Sequence, residues 1–243
     1  MARHNEDKIH GSNQMGKFQD YIGEFVYGGI DGSVTTFAVV AAATGGGLDS
    51  AVVIILGFAN LIADGFAMSV GSYLSTKSEK QQYEKHKAIE YWEIENLRDR
   101  EIEEVREIYE NYGFEGKLLE DIVAHITADK DRWVEVMMKE ELEMQVETKT
   151  PFGMGTATFA AFIAMGLIPL LVYLYDYLFE TGVNLFAVSS IMTALVFMGI
   201  GYMKSKVTGS SKLRGILETL LLGGAAAVLS YFVGDWLEGL VTR

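Results

Sequence analysis

The chain has 243 residues, 49% of them hydrophobic, with 33 acidic against 20 basic side chains and a formal net charge of −13. Length and apolar fraction alone would suit a large soluble domain as well as a membrane protein, but the distribution of charge separates the two: residues 76–150 hold 21 acidic and 12 basic side chains, a net of −9, and outside that block and the first 20 residues charges are sparse. A chain divided this way has one part suited to lipid and one suited to water. Cysteine is absent, which excludes disulfides and thiolate metal sites and leaves carboxylate, methionine, histidine or backbone oxygen to hold any metal.

Residues 1–16 are polar and lack an apolar core, so they read as part of a mobile tail (1–20) rather than a signal peptide. His4 and His10 in it read as solvated tail residues, with weak metal binding as the alternative. A bilayer core about 30 Å thick needs about 20 apolar residues of helix. Five segments qualify: about 23–44, ending at Gly45-Gly46-Gly47; about 51–74; about 156–178, containing Pro169; about 184–203; and about 216–237. Unpaired backbone is too costly in lipid, so these must be helices. The expected fold is all-α, with transmembrane helices 1–2 in 21–75, a cytoplasmic helical domain over 76–150 inserted between helices 2 and 3, and helices 3–5 in 151–243.

Lys and Arg set the orientation. Segment 204–214 carries Lys204, Lys206, Lys212 and Arg214, and the block 76–150 is also rich in basic residues, whereas 45–50 and 176–183 have none. Five spans put both basic segments on one side, expected to be cytoplasmic, with the N-terminus inside and the C-terminus outside. Within the block, Ile102, Val105, Ile108 and Tyr112 recur at helical spacing, and Gly113 stops that helix. Leu118, Leu119, Ile122, Val123 and Ile126 form a second stripe, and Trp133, Val136 and Met137 begin a third; Pro151 and Gly153 end the domain. Seventy-five residues make a thin core, so this domain is expected to lean on the membrane helices or on a second copy.

The candidate chemistry lies in acids and methionines. Asp31, within Gly28-Gly29-Ile30-Asp31-Gly32, and Asp64 each fall near the middle of a span. There an ionisable group costs roughly 2.5–3.5 kcal/mol on insertion scales, so it is either functional or bonded to a Ser or Thr of a neighbouring helix. Glycines around Asp31 let another helix approach closely. Met68 follows Asp64 by four residues, on the same helix face, and a thioether beside carboxylates favours softer transition metals over Mg or Ca. Glu24 opens the first span, as an entrance ligand or as a snorkelling interfacial acid. In the block, Glu90 and Glu93, then Glu101 and Glu104 with Glu107 beyond, share helix faces. Arg98, Arg100 and Arg106 offer compensation for a plain solvated face; Met137, Met138 and Glu141, two methionines before an acid on a charged helix, point instead to metal.

In this order these residues resemble the vacuolar iron transporter family over nearly the whole chain. The resemblance rests on Asp31-Gly32 followed by Thr35, on Met68-Ser69-Val70-Gly71-Ser72-Tyr73-Leu74 leading into Lys77-Ser78-Glu79, on the acidic block ending in Tyr112-Gly113, on Met137-Met138-Lys139 with Glu141, and on the five-span layout. It implies antiport: export of Fe(II) from the cytosol in exchange for protons, serving iron homeostasis, by a homodimer whose pathway is lined by the first span at the dimer interface. It also implies a mid-membrane metal pair at Asp31 and Met68, an entrance acid at Glu24, and cytoplasmic metal ligands at Glu90, Glu93, Glu101, Glu104, Met137, Met138 and Glu141. Fe(II) is then substrate and bound ion, no prosthetic group is expected, and the partners are divalent metal ions, protons and the bilayer, not nucleic acid. One position departs: a second-span Glu of plant-type members falls on Asn60, while Asp64, one turn along, is acidic where that pattern has a small residue. Asn cannot titrate, so the family's proton-coupling arrangement does not carry over to this position. The expected location is a prokaryotic cytoplasmic membrane, or a vacuolar-type membrane in a eukaryote.

Two rival readings remain at this level. A membrane-anchored di-iron carboxylate oxidase would use Glu-x-x-His, and no His in this chain stands three residues after a Glu. A metal-gated channel or sensor would use the acidic domain for regulation rather than delivery.

Overall fold

The computed structural model describes residues 13–241, with side chains from Tyr21 onward; the tail histidines His4 and His10 lie outside the described residues. Among them there is no strand, and five helices are long and apolar enough to cross a membrane. In chain order the helices are α1 (Asn13–Gly45), α2 (Ser50–Asn96), α3 (Arg98–Asn111), α4 (Gly116–Thr127), α5 (Lys130–Val136), a π-helical turn (Met137–Glu141), α6 (Pro151–Phe179), α7 (Leu185–Thr208) and α8 (Lys212–Val241). The chain forms two compact units, one made of residues up to Tyr73 with those from Thr150 on, the other of Leu74–Lys149.

The first unit is a bundle of helices with α1 at its centre. Half of the apolar window of α1 is buried, against 17% for α8. Lipid tails are as apolar as leucine, so close packing rather than water exclusion must hold such helices together. The sequence supplies that packing through glycine. A Cβ built on Gly28 would lie 2.7 Å from the Thr158 carbonyl oxygen, and one on Gly32 would lie 2.4 Å from that of Phe162. The α1 and α6 backbones therefore touch along one glycine seam. Phe37, Val40, Ala41, Leu61, Phe162 and Leu170 pack into the core of the unit, and Phe37 stacks on Phe186 at 5.9 Å between ring centroids. Thr150 caps α6 by accepting from the Gly153 N–H, with Pro151 in the first turn, where its missing N–H costs nothing.

Helix α2 is 47 residues long, about 70 Å of helix and more than twice a bilayer core. No proline or glycine stands between Gly71 and Gly113, so nothing in the chain breaks it at the composition change near residue 75. Its apolar half ends near Leu74, and its charged half, which carries Glu90 and Glu93, belongs to the second unit.

In that second unit Ile94, Val105, Leu119, Val123, Ile126, Trp133, Val134, Met137 and Met138 form one buried cluster. Each large apolar side chain removed from water here contributes about 1.5–3 kcal/mol. Ile102, Ile108, Ile122 and Val136 pack against it half-buried, and two expected stripe members lie outside both groups. Tyr112 is 61% exposed because it is the residue that ends α3, and Leu118 is 57% exposed because the buried stripe of α4 runs through Leu119, Val123 and Ile126. The Tyr91 hydroxyl donates to Asp131 at 2.6 Å and Lys130 pairs with Glu95, joining α2 to α5.

Candidate metal sites

The acidic site in the second unit is made by a sharp break in the chain. Helix α2 ends at Asn96, Leu97 leaves helical geometry (φ −124°, ψ 30°), and α3 starts at Arg98. On either side of the break the chain bonds to its own helix: the Asn96 side-chain amide donates back to the Trp92 carbonyl at 2.7 Å, and the Arg100 backbone N–H donates to the Leu97 carbonyl at 2.9 Å. Glu90 and Glu93 on one helix thereby meet Glu101 on the next. One carboxylate oxygen from each of the three lies within 4.8 Å of the others. Glu90 is 3% exposed and Glu101 2%, and in each the Oε2 is buried with no hydrogen-bond partner. An acceptor left unpaired in this way costs about 1–3 kcal/mol, more when charged.

The electrostatics follow from that burial. Loss of solvent pushes the Glu90 carboxyl up from 4.5 to about 7, and the neighbouring acids Glu141, Glu93, Glu101 and Glu104 push it the same way. Glu101 is likewise raised to about 7 by desolvation and then by Glu104, Glu93 and Glu141, with Arg100 opposing. Glu141 is exposed over the residue as a whole; desolvation of its carboxyl still raises its pKa, ahead of Glu104 and Glu93. Five carboxylates thus feel one another. The basic residues that a solvated face requires are engaged elsewhere: Arg98 lies over the Trp133 ring at 5.0 Å and donates to the Thr127 carbonyl, while Arg106 pairs with Glu103 and, at 3.1 Å, with Glu120. Among the described residues only Arg100 pairs with the group, donating from Nε to Glu104 at 2.9 Å. Glu107 is exposed and is not among the coupled acids.

Met137 and Met138 are 0% and 1% exposed and belong to the apolar cluster of this unit. They open the π turn, in which the Leu142 N–H donates to the Met137 carbonyl five residues back at 3.1 Å. Such turns recur at functional positions because they widen a helix locally.

In the helix bundle, Asp31 on α1 and Asp64 on α2 are both half-buried and are electrostatic neighbours. No hydrogen bond to either carboxylate is present among the described residues, so the alternative of an Asp satisfied by a neighbouring Ser or Thr is not what the structure has. Thr35 turns its hydroxyl to the backbone carbonyl of Asp31 at 2.8 Å instead. Asn60, Asp64 and Met68 succeed one another at four-residue spacing and are all half-buried, with Met68 packed against the core and the Asn60 Nδ2 buried without an acceptor. Glu24 accepts hydrogen bonds from Ser72 Oγ at 3.3 Å and Thr158 Oγ1 at 3.2 Å, so it is bonded inward between α2 and α6 rather than reaching toward solvent. Sequence reasoning missed these two hydroxyls, and nothing in their spacing marks them out.

Comparison with known proteins adds to this geometry. A family model described as VIT family matches residues 22–235. The chain is 33% identical to a vacuolar iron transporter of Toxoplasma gondii over 239 residues, covering 96% of this chain and 79% of the relative. It is 30% identical to the vacuolar iron transporter of Plasmodium falciparum, covering 99% and 90%, and 29% identical to vacuolar iron transporter 1 of Arabidopsis thaliana, covering 87% and 84%.

Proposed function

The chain belongs to the VIT family and is a multi-pass membrane transporter of metal ions rather than an enzyme, and on that premise we propose that it exports Fe(II) from the cytosol in exchange for protons. The observation that carries this reading is the Glu90, Glu93 and Glu101 group, three converging carboxylates with two buried oxygens unpaired and two of three nearby arginines turned away. A divalent cation supplies what those oxygens lack. The relatives' names point to iron.

Transport runs in two stages. The unit Leu74–Lys149 faces the cytosol, a placement supported by the basic residues near its junctions with the spans and in the 204–214 turn, and gathers the ion on Glu90, Glu93, Glu101, Glu104 and Glu141 with the Met137 and Met138 sulfurs in support. The ion then passes Glu24 and reaches Asp31, Asp64 and Met68, where carboxylate and thioether together suit Fe(II) or Mn(II) over Mg(II). Metal binding needs ionised carboxylates, so protons entering from the far side compete with the ion and release it. Asn60 cannot carry a proton, so the exchange is proposed to use a membrane carboxylate elsewhere on the pathway. The working unit is a homodimer in a cytoplasmic or vacuolar-type membrane.

Proteoliposomes test the proposal: Fe(II) flux into vesicles is measured together with lumenal pH. Flux that persists unchanged in Asp31→Ala would overturn the pathway, and flux without an opposing proton movement would overturn exchange.

A further inference from the structure

We propose that the turn joining α7 to α8 holds the headgroup of an anionic phospholipid, with one acyl chain lying along α8. This goes beyond metal transport and does not depend on it. Although the whole chain carries −13, Lys204, Lys206, Lys212 and Arg214 here outweigh Glu218 and give a local net charge of +3. Two of the cations have partners within the chain. Lys204 pairs with Glu218 at 3.0 Å, and the Lys212 ammonium lies 5.4 Å from the Tyr202 ring centroid. Lys206 and Arg214 are exposed and have neither an ion pair nor an aromatic partner among the described residues.

Arg214 lines a groove of about 650 Å³ together with Ser211, Leu213, Leu217, Glu218 and Leu221. Leu213, Leu217 and Leu221 are 66%, 49% and 71% exposed and follow one another at one-turn spacing down a membrane-spanning helix. Cation and hydroxyl at the top, alkyl surface below, is the order in which a phospholipid presents phosphate and chain. A free phosphate uses only the top of this surface; the leucine stripe commits the site to lipid. Basic residues at the membrane surface attract anionic lipid by about 1 kcal/mol each. Removing two of them is therefore worth roughly 30-fold in lipid preference.

The test uses full-length, metal-free protein in nanodiscs of phosphatidylcholine doped with phosphatidylglycerol, with co-purifying lipid counted by native mass spectrometry. Enrichment of phosphatidylglycerol over phosphatidylcholine is expected. The Lys206→Gln, Arg214→Gln double variant is expected to lose that enrichment, and Lys206→Arg, Arg214→Lys to keep it, which separates lost charge from lost fold. Equal retention of both lipids by the unaltered chain, or undiminished enrichment in the double glutamine variant, overturns the site. So does displacement of the lipid by millimolar inorganic phosphate, which would identify a free-anion site.

Discussion

In the helix bundle, acids are few and the helices are held by touching backbones; in the unit Leu74–Lys149, acids are many and the helices are held by an apolar core. Asp31 has Asp64 as a charged neighbour, and the helix that carries Asp31 packs on α6 through Gly28 and Gly32. Glu90 and Glu101 sit buried among three further carboxylates, in a unit whose core is formed by Ile94, Val105 and Trp133. A bundle built on glycine contacts tolerates no added atom at its seam but needs few charges to define a path. A core-anchored acidic unit can crowd charge because its hydrophobic cluster outweighs the repulsion.

The sharpest way to break this contrast is to remove the bundle's carboxylate. Asp31→Ala is expected to lower Fe(II) flux by about 100-fold or more, since even outer-shell changes at metal sites cost 10–100-fold, while leaving metal binding by the acidic unit unchanged in calorimetric titration. Loss of both would mean that the two regions form one site.

Acidity should act chiefly on the other region. The folded pKa values of Glu90 and Glu101 lie near 7, above the ordinary 4.5, so the folded apo form binds more protons than the unfolded chain between those values. Stability of the metal-free protein should therefore be greatest below about pH 4.5 as far as these two groups are concerned, and should fall as pH rises through 7. Metal binding runs the opposite way, weakening roughly 30-fold between pH 7 and pH 6 if both carboxyls must ionise. Titrations across that range, with proton release measured in weak buffer, check both signs. A pH-independent affinity would remove Glu90 and Glu101 from the ligand set.

A steric test of the bundle comes next. Gly32→Val places a branched side chain against the Phe162 backbone and is expected to destabilise the protein by about 1–3 kcal/mol, read as a lowered Tm, with the metal affinity of the acidic unit unaffected. The smallest effect should come from Arg100→Gln. Loss of the one cation among the described residues that pairs with these acids should tighten divalent-metal binding a few-fold and lower apo stability only slightly, because the Arg100 side chain is 71% exposed. Weaker metal binding in this variant would mean that Arg100 positions the ligands instead of opposing the ion.

The five membrane helices were legible because lipid demands long apolar runs, and nothing else in the chain competes with that signal. The helices of the acidic unit were legible from periodicity at Val105, Leu119, Val123 and Trp133. Their meeting was not. The break at Leu97 has no proline or glycine to announce it, and it is this break that brings Glu101 beside Glu90. The continuity of α2 was also hidden, because composition changes at residue 75 while backbone geometry does not. Arginines near an acidic cluster looked like its counter-charges; Arg98 and Arg106 go to Trp133 and Glu120, partners far along the sequence that no local rule names. Glu24 is the plainest case: its two readings were equal on sequence, and two hydroxyls on other helices decide how it is held.

The π turn at Met137–Glu141 has a consequence for ancestry. A turn closed five residues back instead of four is what insertion of a single residue leaves in an ordinary helix. Each residue of α-helix advances by 100°, so such an insertion carries Glu141 about a quarter-turn around the helix axis relative to Trp133 without disturbing the buried methionines that precede it. One codon gained at this place would swing an acid from one flank of the unit to another, and one codon lost would swing it back. Relatives whose spacing between Trp133 and Glu141 is one residue shorter should therefore have an unbroken α-helix here and a different set of acids facing Glu104.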